Sequence, residues 1–220
     1  MKKIPFGELA FVLGVLFTCA GVALQVSADL GLSMVAAPAY ILSQKISFLT
    51  TGMAEWCIQG LLFILGCLVI GRFYLPMVGS FLVASLCSMV LDLMLTLFAG
   101  VHAETLPGRL ALYLAGLLSL ALGIAFAFRS YLPCQMHEMF VKTVAAHKKW
   151  DQNKLKIIYD WICLAVSLTL TLCFFGKLVG IGLGTVLCTA INGPLIALWG
   201  KVLDRCFNFD PALKKRSARQ

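Results

Sequence analysis

Four acidic residues lie within or beside long apolar stretches of the sequence: Asp29, Glu55, Asp92 and Asp160. A carboxylate near the bilayer centre costs at least about 2.5 kcal/mol on insertion scales, and such residues usually mark a pathway for substrates, ions or protons. Burial also favours the protonated form of a carboxyl group. We therefore predict that these acids bind a solute or a proton.

Asp92 lies deepest in an apolar run, between Met89 and Met94, and a functional role is favoured there over a structural one. Glu55 and Asp160 lie near the starts of predicted helices, where the helix dipole and headgroup water also stabilise a carboxylate. For these two acids, the sequence leaves both explanations open. Replacing Asp92 with asparagine is expected to abolish solute uptake without unfolding the protein.

Three further residues are candidates for the same site. Trp56 and Trp161 each follow one of the acids, and they either stack on a cationic solute or belong to an interfacial aromatic belt. Asn192 precedes Gly193-Pro194 within the last apolar stretch. That helix is either simply kinked or broken, and a broken helix would expose backbone carbonyls to a solute.

Enzymatic and metal chemistry find little support in the sequence. The nine cysteines occur singly, without a C-x-x-C pair, as is typical of residues that fill helix interfaces. His137-Glu138 lacks the second histidine of a zinc-protease helix, and a surface helix is favoured there over a proton relay. The chain has no paired Ser/Lys and no histidine cluster at metal spacing. We predict no enzymatic activity, no cofactor and no bound metal.

The composition indicates an integral membrane protein. Of 220 residues, 60% are hydrophobic and 13% are charged, and the mean hydropathy is +0.93. About a quarter of the residues of soluble domains are charged. A hydrocarbon core about 30 Å thick needs roughly 20 apolar residues per helix, which predicts six spans at about 9–28, 53–71, 77–99, 109–128, 156–175 and 180–200.

Two segments of mixed polarity interrupt these spans, from Asp29 to Gly52 and from Arg129 to Leu155. Each is too polar for an ordinary span and too apolar for a solvated loop. The apolar part of the first, Val35 to Leu42, would reach only about 12 Å as a helix. We predict in each segment a short helix that either re-enters the membrane or lies on its surface.

The chain also repeats itself with a shift of about a hundred positions, as duplicated transporters do. An acid followed by tryptophan is the most specific match, because the chain has only four tryptophans. The matched positions are Gly14/Gly116, Leu16/Leu118, Gly21/Gly123, Ala23/Ala125, Leu30/Leu132, Glu55-Trp56/Asp160-Trp161, Gly71-Arg72/Gly176-Lys177 and Gly79-Ser80/Gly184-Thr185. We interpret the recurring glycines as a packing surface between the two halves.

These patterns together predict an all-α integral membrane protein with six transmembrane helices. Because three spans per unit reverse the direction of the chain, the helices should form two inverted three-helix repeats, each with a short re-entrant or interfacial helix after its first span. The first repeat covers residues 1–100, the second covers 101–205, and a basic cytoplasmic tail covers 206–220.

The distribution of lysine and arginine predicts that both termini are cytoplasmic. The net charge is +8, and the basic residues of the tail include Lys214-Lys215-Arg216. Since the tail follows the last span, we expect it to attract anionic lipid headgroups rather than nucleic acid.

The order of the segments resembles the YczE-like family of bacterial multi-pass membrane proteins and, in outline, the YitT-type proteins. The resemblance covers nearly the whole chain and rests on Ala28-Asp29-Leu30-Gly31-Leu32-Ser33 after the first helix, on Gly180 to Thr185 and on Leu203-Asp204. It implies a protein of the bacterial cytoplasmic (inner) membrane. Members of that family often have Pro-Trp-Asp where this chain has Met34-Val35-Ala36, and the resemblance implies no particular substrate.

The sequence therefore predicts a small secondary transporter for a small cationic or zwitterionic solute, exchanged for protons. Its predicted binding residues are Asp92, Glu55, Asp160, Asp29, Asn192, Trp56 and Trp161. The alternative is a non-transporting membrane accessory, or the substrate-binding subunit of a larger complex. A homodimer or a partner membrane protein is compatible with either prediction.

Overall fold

The computed structural model describes residues 7–130 and 133–206, and this part of the chain is helical without strands. Six of its helices are long and apolar enough to cross a membrane: α1, α3, α4, α5, α7 and α8. The helices are α1 (Gly7–Ala28), α2 (Ala37–Lys45), α3 (Thr51–Ile70), α4 (Leu75–Phe98), α5 (Leu106–Ala127), α6 (Met136–Lys148), α7 (Gln152–Phe175) and α8 (Leu183–Cys206). The predicted all-helical class, with six helices long and apolar enough to span a membrane, is confirmed for the described residues. Leu132 and most of the predicted basic tail, residues 207–220, lie outside the described residues.

The two segments of mixed polarity each contain one short helix. Helix α2 has 9 residues and α6 has 13. At the helical rise they extend about 14 and 20 Å, which is well short of a hydrocarbon core of about 30 Å. Neither is long enough to cross the membrane as a helix.

Glycines hold α1 and α5 at the centre of the bundle in close contact. A Cβ atom on Gly21 would lie 2.5 Å from the backbone nitrogen of Leu120, and one on Gly123 would lie 2.4 Å from that of Thr18. Such distances leave no room for a side chain, so small residues let the two backbones meet. The packing role predicted for these glycines agrees with this geometry.

The eight described helices form two groups. Helices α4, α1, α5 and α8 pack side by side in that order, and we call them the row. Helices α2, α3, α6 and α7 pack in a closed circle, which we call the ring. The ring contacts the row through α4, which packs on α3 and α6, whereas among the described helices α8 has its main contact with α5. The space between row and ring is thus closed on the α4 side and more open on the α8 side.

Candidate functional site

A cavity of about 550 Å³ lies between the row and the ring. Its wall takes residues from every described helix except α2, together with residues 33–36, which precede α2, and residues 133–135, which precede α6. Among the predicted binding residues, Glu55, Asp160 and Asn192 line this cavity. The structure therefore brings three of the seven candidates together.

Glu55 is the most enclosed acid of the cavity. Its Oε1 atom lies 2.6 Å from His137 Nε2 and accepts a hydrogen bond from Gln59 Nε2 at 3.1 Å. The side chains of His137 and Glu55 are only 4% and 12% exposed. Gln59 in turn accepts a hydrogen bond from the backbone N–H of Met136 at 3.1 Å. Glu55 and Gln59 thus hold the first turn of α6 against α3.

A hydrogen-bonded chain extends from Glu55 through His137 to Tyr159. The Nδ1 atom of His137 bonds to the Tyr159 hydroxyl. An ionised Glu55 only accepts, so His137 donates from Nε2, and in the neutral imidazole Nδ1 accepts from the Tyr159 hydroxyl. In this arrangement, the second carboxylate oxygen, Glu55 Oε2, is buried and has no hydrogen-bond partner among the described residues.

A second charged cluster lies on a more accessible part of the wall. Lys156 Nζ is 2.9 Å from Asp160 Oδ1 and 3.3 Å from Glu138 Oε1, and these side chains are about 30% exposed. Lys156 and Asp160 are four residues apart on α7 and therefore share one helix face. With neutral His137, the charged groups of the described wall are three carboxylates and one ammonium, a net charge of −2. Carboxylates therefore outnumber ammonium groups on the described part of this wall.

Asn192 faces the same cavity from α8. Its side-chain oxygen is buried and has no partner within residues 7–130 and 133–206. Helix α8 continues through Gly193 and Pro194 to Cys206. The broken helix considered for this segment is therefore not observed, and the group that Asn192 presents without a partner is its side-chain amide oxygen.

Asp92 does not line the cavity. From α4 it reaches the first turn of α3, where Oδ1 accepts from the backbone N–H of Gly52 at 2.7 Å and Oδ2 accepts from the Thr50 hydroxyl at 2.6 Å. A carboxylate at a helix N-terminus satisfies otherwise unpaired N–H groups and is stabilised by the helix dipole. The structure thus gives Asp92 a capping role in place of the predicted solute contact.

We accordingly expect Asp92→Ala to lower the free energy of unfolding while leaving solute affinity unchanged. The variant loses two hydrogen bonds to a charged acceptor, which contribute about 1.5–3 kcal/mol each when fully buried and less here because Asp92 is partly exposed. Thermal unfolding of the purified protein, with Asp92→Asn as the milder partner, measures the change. A variant with normal stability but no solute binding would contradict the capping role.

Three other predicted residues also point away from the cavity. Asp29 ends α1 with a φ of 50°, is paired with Arg109 at 2.9 Å, and is 84% exposed at its side chain. Trp56 is 44% exposed and donates to Ser85 Oγ at 2.8 Å, and Trp161 is 63% exposed. These exposed rings suit an apolar or interfacial surrounding rather than a solute in the cavity.

Sequence reasoning missed part of the cavity wall. Four polar residues of this wall are not among the predicted binding residues: Gln59, His137, Glu138 and Lys156. A usable signal was present, because Glu55/Gln59 and Lys156/Asp160 are polar pairs four residues apart on otherwise apolar helices, which places each pair on one face. Within the described residues, no cluster of three or more His, Cys, Asp and Glu side chains has the arrangement needed to hold a metal ion.

Comparison with known proteins shows the family of the chain. No curated protein and no solved structure matches it. A family model described as "Family of unknown function (DUF6198)" matches residues 6–201. The chain therefore belongs to this family of unknown function, DUF6198.

Proposed function

We propose that this protein is a small secondary transporter that exchanges a cationic or zwitterionic solute for protons. The observation that carries the proposal is a pair of buried oxygen atoms without partners, Glu55 Oε2 and Asn192 Oδ1, in the wall of one cavity. A buried acceptor without a hydrogen bond is costly, and more so when it is charged. A solute with a protonated amine would supply hydrogen-bond donors for such oxygens.

We assign protons as the ion that is exchanged for the solute at this site. The chain Glu55–His137–Tyr159 contains a carboxylate and an imidazole in direct hydrogen-bond contact. Chains of carboxylate and imidazole groups serve as proton relays in membrane pumps and transporters. Solute and proton would then occupy the site in turn, which is the requirement for exchange.

Several observations support two inverted repeats. Helices α1–α4 and α5–α8 follow the same order of one long, one short and two long helices. Exchanging the two sets maps the row onto itself in reverse and the ring onto itself. The matched glycines also face each other crosswise: a Cβ atom on Gly14 would lie 3.1 Å from the Gly123 carbonyl oxygen, and one on Gly21 would lie 2.7 Å from that of Gly116. Crosswise pairing fits antiparallel, and hence inverted, α1 and α5.

The symmetry is broken in a way that suits alternating access. Helix α4 packs on α3 and α6, but α8 has no comparable contacts with its counterparts α7 and α2 among the described helices. In the second state of an alternating-access cycle, the two repeats would exchange roles: α8 would pack on the ring and α4 would separate from it. Such an exchange of contacts between inverted repeats opens a midplane site first to one side and then to the other.

The predicted membrane topology is part of the proposal. Arg109 ties the start of α5 to the end of α1, and Arg129 ties the end of α5 to Asp204 at the end of α8 with distances of 2.6 and 2.7 Å. The two ion pairs therefore lie at opposite ends of the bundle. We place the Arg129 end in the bacterial cytoplasm, with α2 and α6 as re-entrant helices, and the distribution of lysine and arginine supports this orientation.

Reconstituted protein tests the transport function directly. Proteoliposomes with a trapped pH-sensitive dye are exposed to amines, amino acids and inorganic cations with and without an imposed pH gradient. A solute that discharges the gradient only in protein-containing vesicles supports exchange. Absence of flux for every solute, together with a second polypeptide that stays bound through purification, would favour the accessory function instead.

That second candidate also has an observation in its favour. The apolar windows of α7 and α8 are only 17% buried, compared with 44% for α1 and α5. These two helices therefore present wide apolar faces that lipid, a second copy of the chain or a partner membrane protein would cover. Chemical cross-linking in native membranes distinguishes these three arrangements.

A further inference from the structure

The cavity also indicates the chemical class of its solute, and this inference rests on the proposed transport function. We infer that the solute is an amphipathic organic monocation, with one protonated amine and an apolar body, rather than a zwitterion or a divalent metal ion. Three properties of the described wall lead to this conclusion: its lysine is already paired with two carboxylates, it offers too few ligands for a divalent metal ion, and its remaining surface is apolar.

A zwitterion would need a positive group to receive its carboxylate. Among the described residues of the wall, Lys156 is the single basic side chain of the Lys/Arg type. Its Nζ atom already binds Asp160 Oδ1 at 2.9 Å and Glu138 Oε1 at 3.3 Å. With Glu55 ionised, His137 donates its Nε2 hydrogen to Glu55, so this hydrogen is not free for a solute carboxylate. A solute carboxylate would therefore compete with two wall carboxylates for one ammonium, and the net charge of the wall would oppose it.

A divalent metal ion fits the wall no better. Hard divalent cations require about six or more oxygen ligands, and structural zinc sites require four ligands from Cys, His or acids. The described residues provide no group of three such side chains in suitable positions. A protonated amine needs far less, because it donates at most three directed hydrogen bonds, and the wall residues Glu55 and Asn192 each hold one oxygen without a partner among the described residues.

The rest of the cavity is apolar and too large for an amine alone. The wall opposite the charged clusters comes from α1, α4 and α5 and includes Phe11, Val15, Val83, Leu91, Leu120 and Ile124. A volume of about 550 Å³ lies in the usual range for drug-sized ligands. An ammonium group occupies roughly the volume of one water, about 30 Å³. Most of the space is therefore suited to an apolar body attached to the amine.

A matched set of four probes tests this class. Binding to purified protein in nanodiscs is measured for 4-phenylbutylamine, ethylamine, 4-phenylbutanol and the zwitterion 2-amino-5-phenylpentanoic acid. Each buried methylene is expected to raise affinity about fourfold, so 4-phenylbutylamine should bind at least about a hundredfold tighter than ethylamine. The alcohol lacks the positive charge, and the carboxylate of the zwitterion finds no free cation on the described wall. Each of these two probes should therefore bind at least about tenfold weaker than 4-phenylbutylamine.

Variants of the apolar wall separate body recognition from amine recognition. Phe11→Ala should weaken 4-phenylbutylamine about tenfold and leave ethylamine unchanged, with Ile124→Ala as a second variant from the same wall. Leu9→Ala is the matched control, since Leu9 is on the same helix and 48% exposed. Equal binding of the zwitterion, or equal binding of ethylamine and 4-phenylbutylamine, would overturn the inference while leaving cation transport intact. Binding of none of the cations by folded protein would overturn both proposals.

Discussion

Glu55→Gln is expected to lower the affinity for the cationic solute at least about a hundredfold and to abolish its exchange for protons. Glutamine keeps the size of the side chain and an oxygen that accepts from His137, so the variant should fold. It removes the negative charge that a buried ammonium requires. Leaving one partner of a buried ion pair without its counter-charge costs about 3–5 kcal/mol, and about 1.4 kcal/mol corresponds to a factor of ten in affinity.

The measurement compares solute binding and proton exchange for wild-type protein and Glu55→Gln in the same vesicles. Glu104→Gln is the matched control, because Glu104 is an exposed residue between α4 and α5 and lies outside the cavity wall. Thermal unfolding verifies that both variants are folded. Wild-type exchange by Glu55→Gln would remove Glu55 from the site and, with it, the main support for cation transport.

Gly21→Ala is expected to destabilise the protein by at least about 1–3 kcal/mol, the usual cost of inserting a methyl group into a well-packed interior. A Cβ atom there would lie 2.5 Å from the Leu120 nitrogen, 2.7 Å from the Gly116 oxygen and 2.8 Å from the Leu120 Cα. All three neighbours are backbone atoms, which cannot move aside by changing a rotamer. Helices α1 and α5 must therefore separate.

Gly60→Ala is the control for this prediction. Gly60 lies within α3, and a Cβ atom would meet the Phe81 ring at an ordinary distance of 3.5 Å. Since alanine is a better helix former than glycine by about 1 kcal/mol, this variant should be as stable as wild type or slightly more stable. The thermal midpoint and the monodisperse fraction in detergent report both changes. Equal stability of Gly21→Ala and wild type would show that α1 and α5 are not in backbone contact.

The sequence identified two acids of the cavity wall, but it did not separate them from acids that lie outside the cavity. The matched acid-tryptophan pairs identified Glu55 and Asp160, and both acids line the cavity. Its apolar surroundings made Asp92 the most favoured functional acid, yet a hydrogen bond to the N-terminus of α3 accounts for its position. Hydropathy counts apolar neighbours along the chain and carries no information about a helix end that packs alongside from elsewhere in the sequence.

The sequence also did not predict which of two consecutive residues faces the cavity. Glu55 and Trp56 are consecutive, but successive residues of a helix are about 100° apart around its axis. Glu55 points into the cavity and Trp56 points out of the bundle. Without a strong apolar stripe, the rotation of such a helix depends on its neighbours. His137 was underestimated for a related reason, since the polar character of α6 is typical of a surface helix.

The sequence by itself determined that the chain is helical, that six of its segments are long and apolar enough to span a membrane, and which positions match with a shift of about a hundred residues. These properties depend on composition and spacing, which are local to the chain. Only the tertiary structure decided that His137 reaches Glu55, that Lys156 is held between two carboxylates, and that Asp92 caps α3. Those contacts join residues up to 82 positions apart, and they depend on how helices rotate and pack.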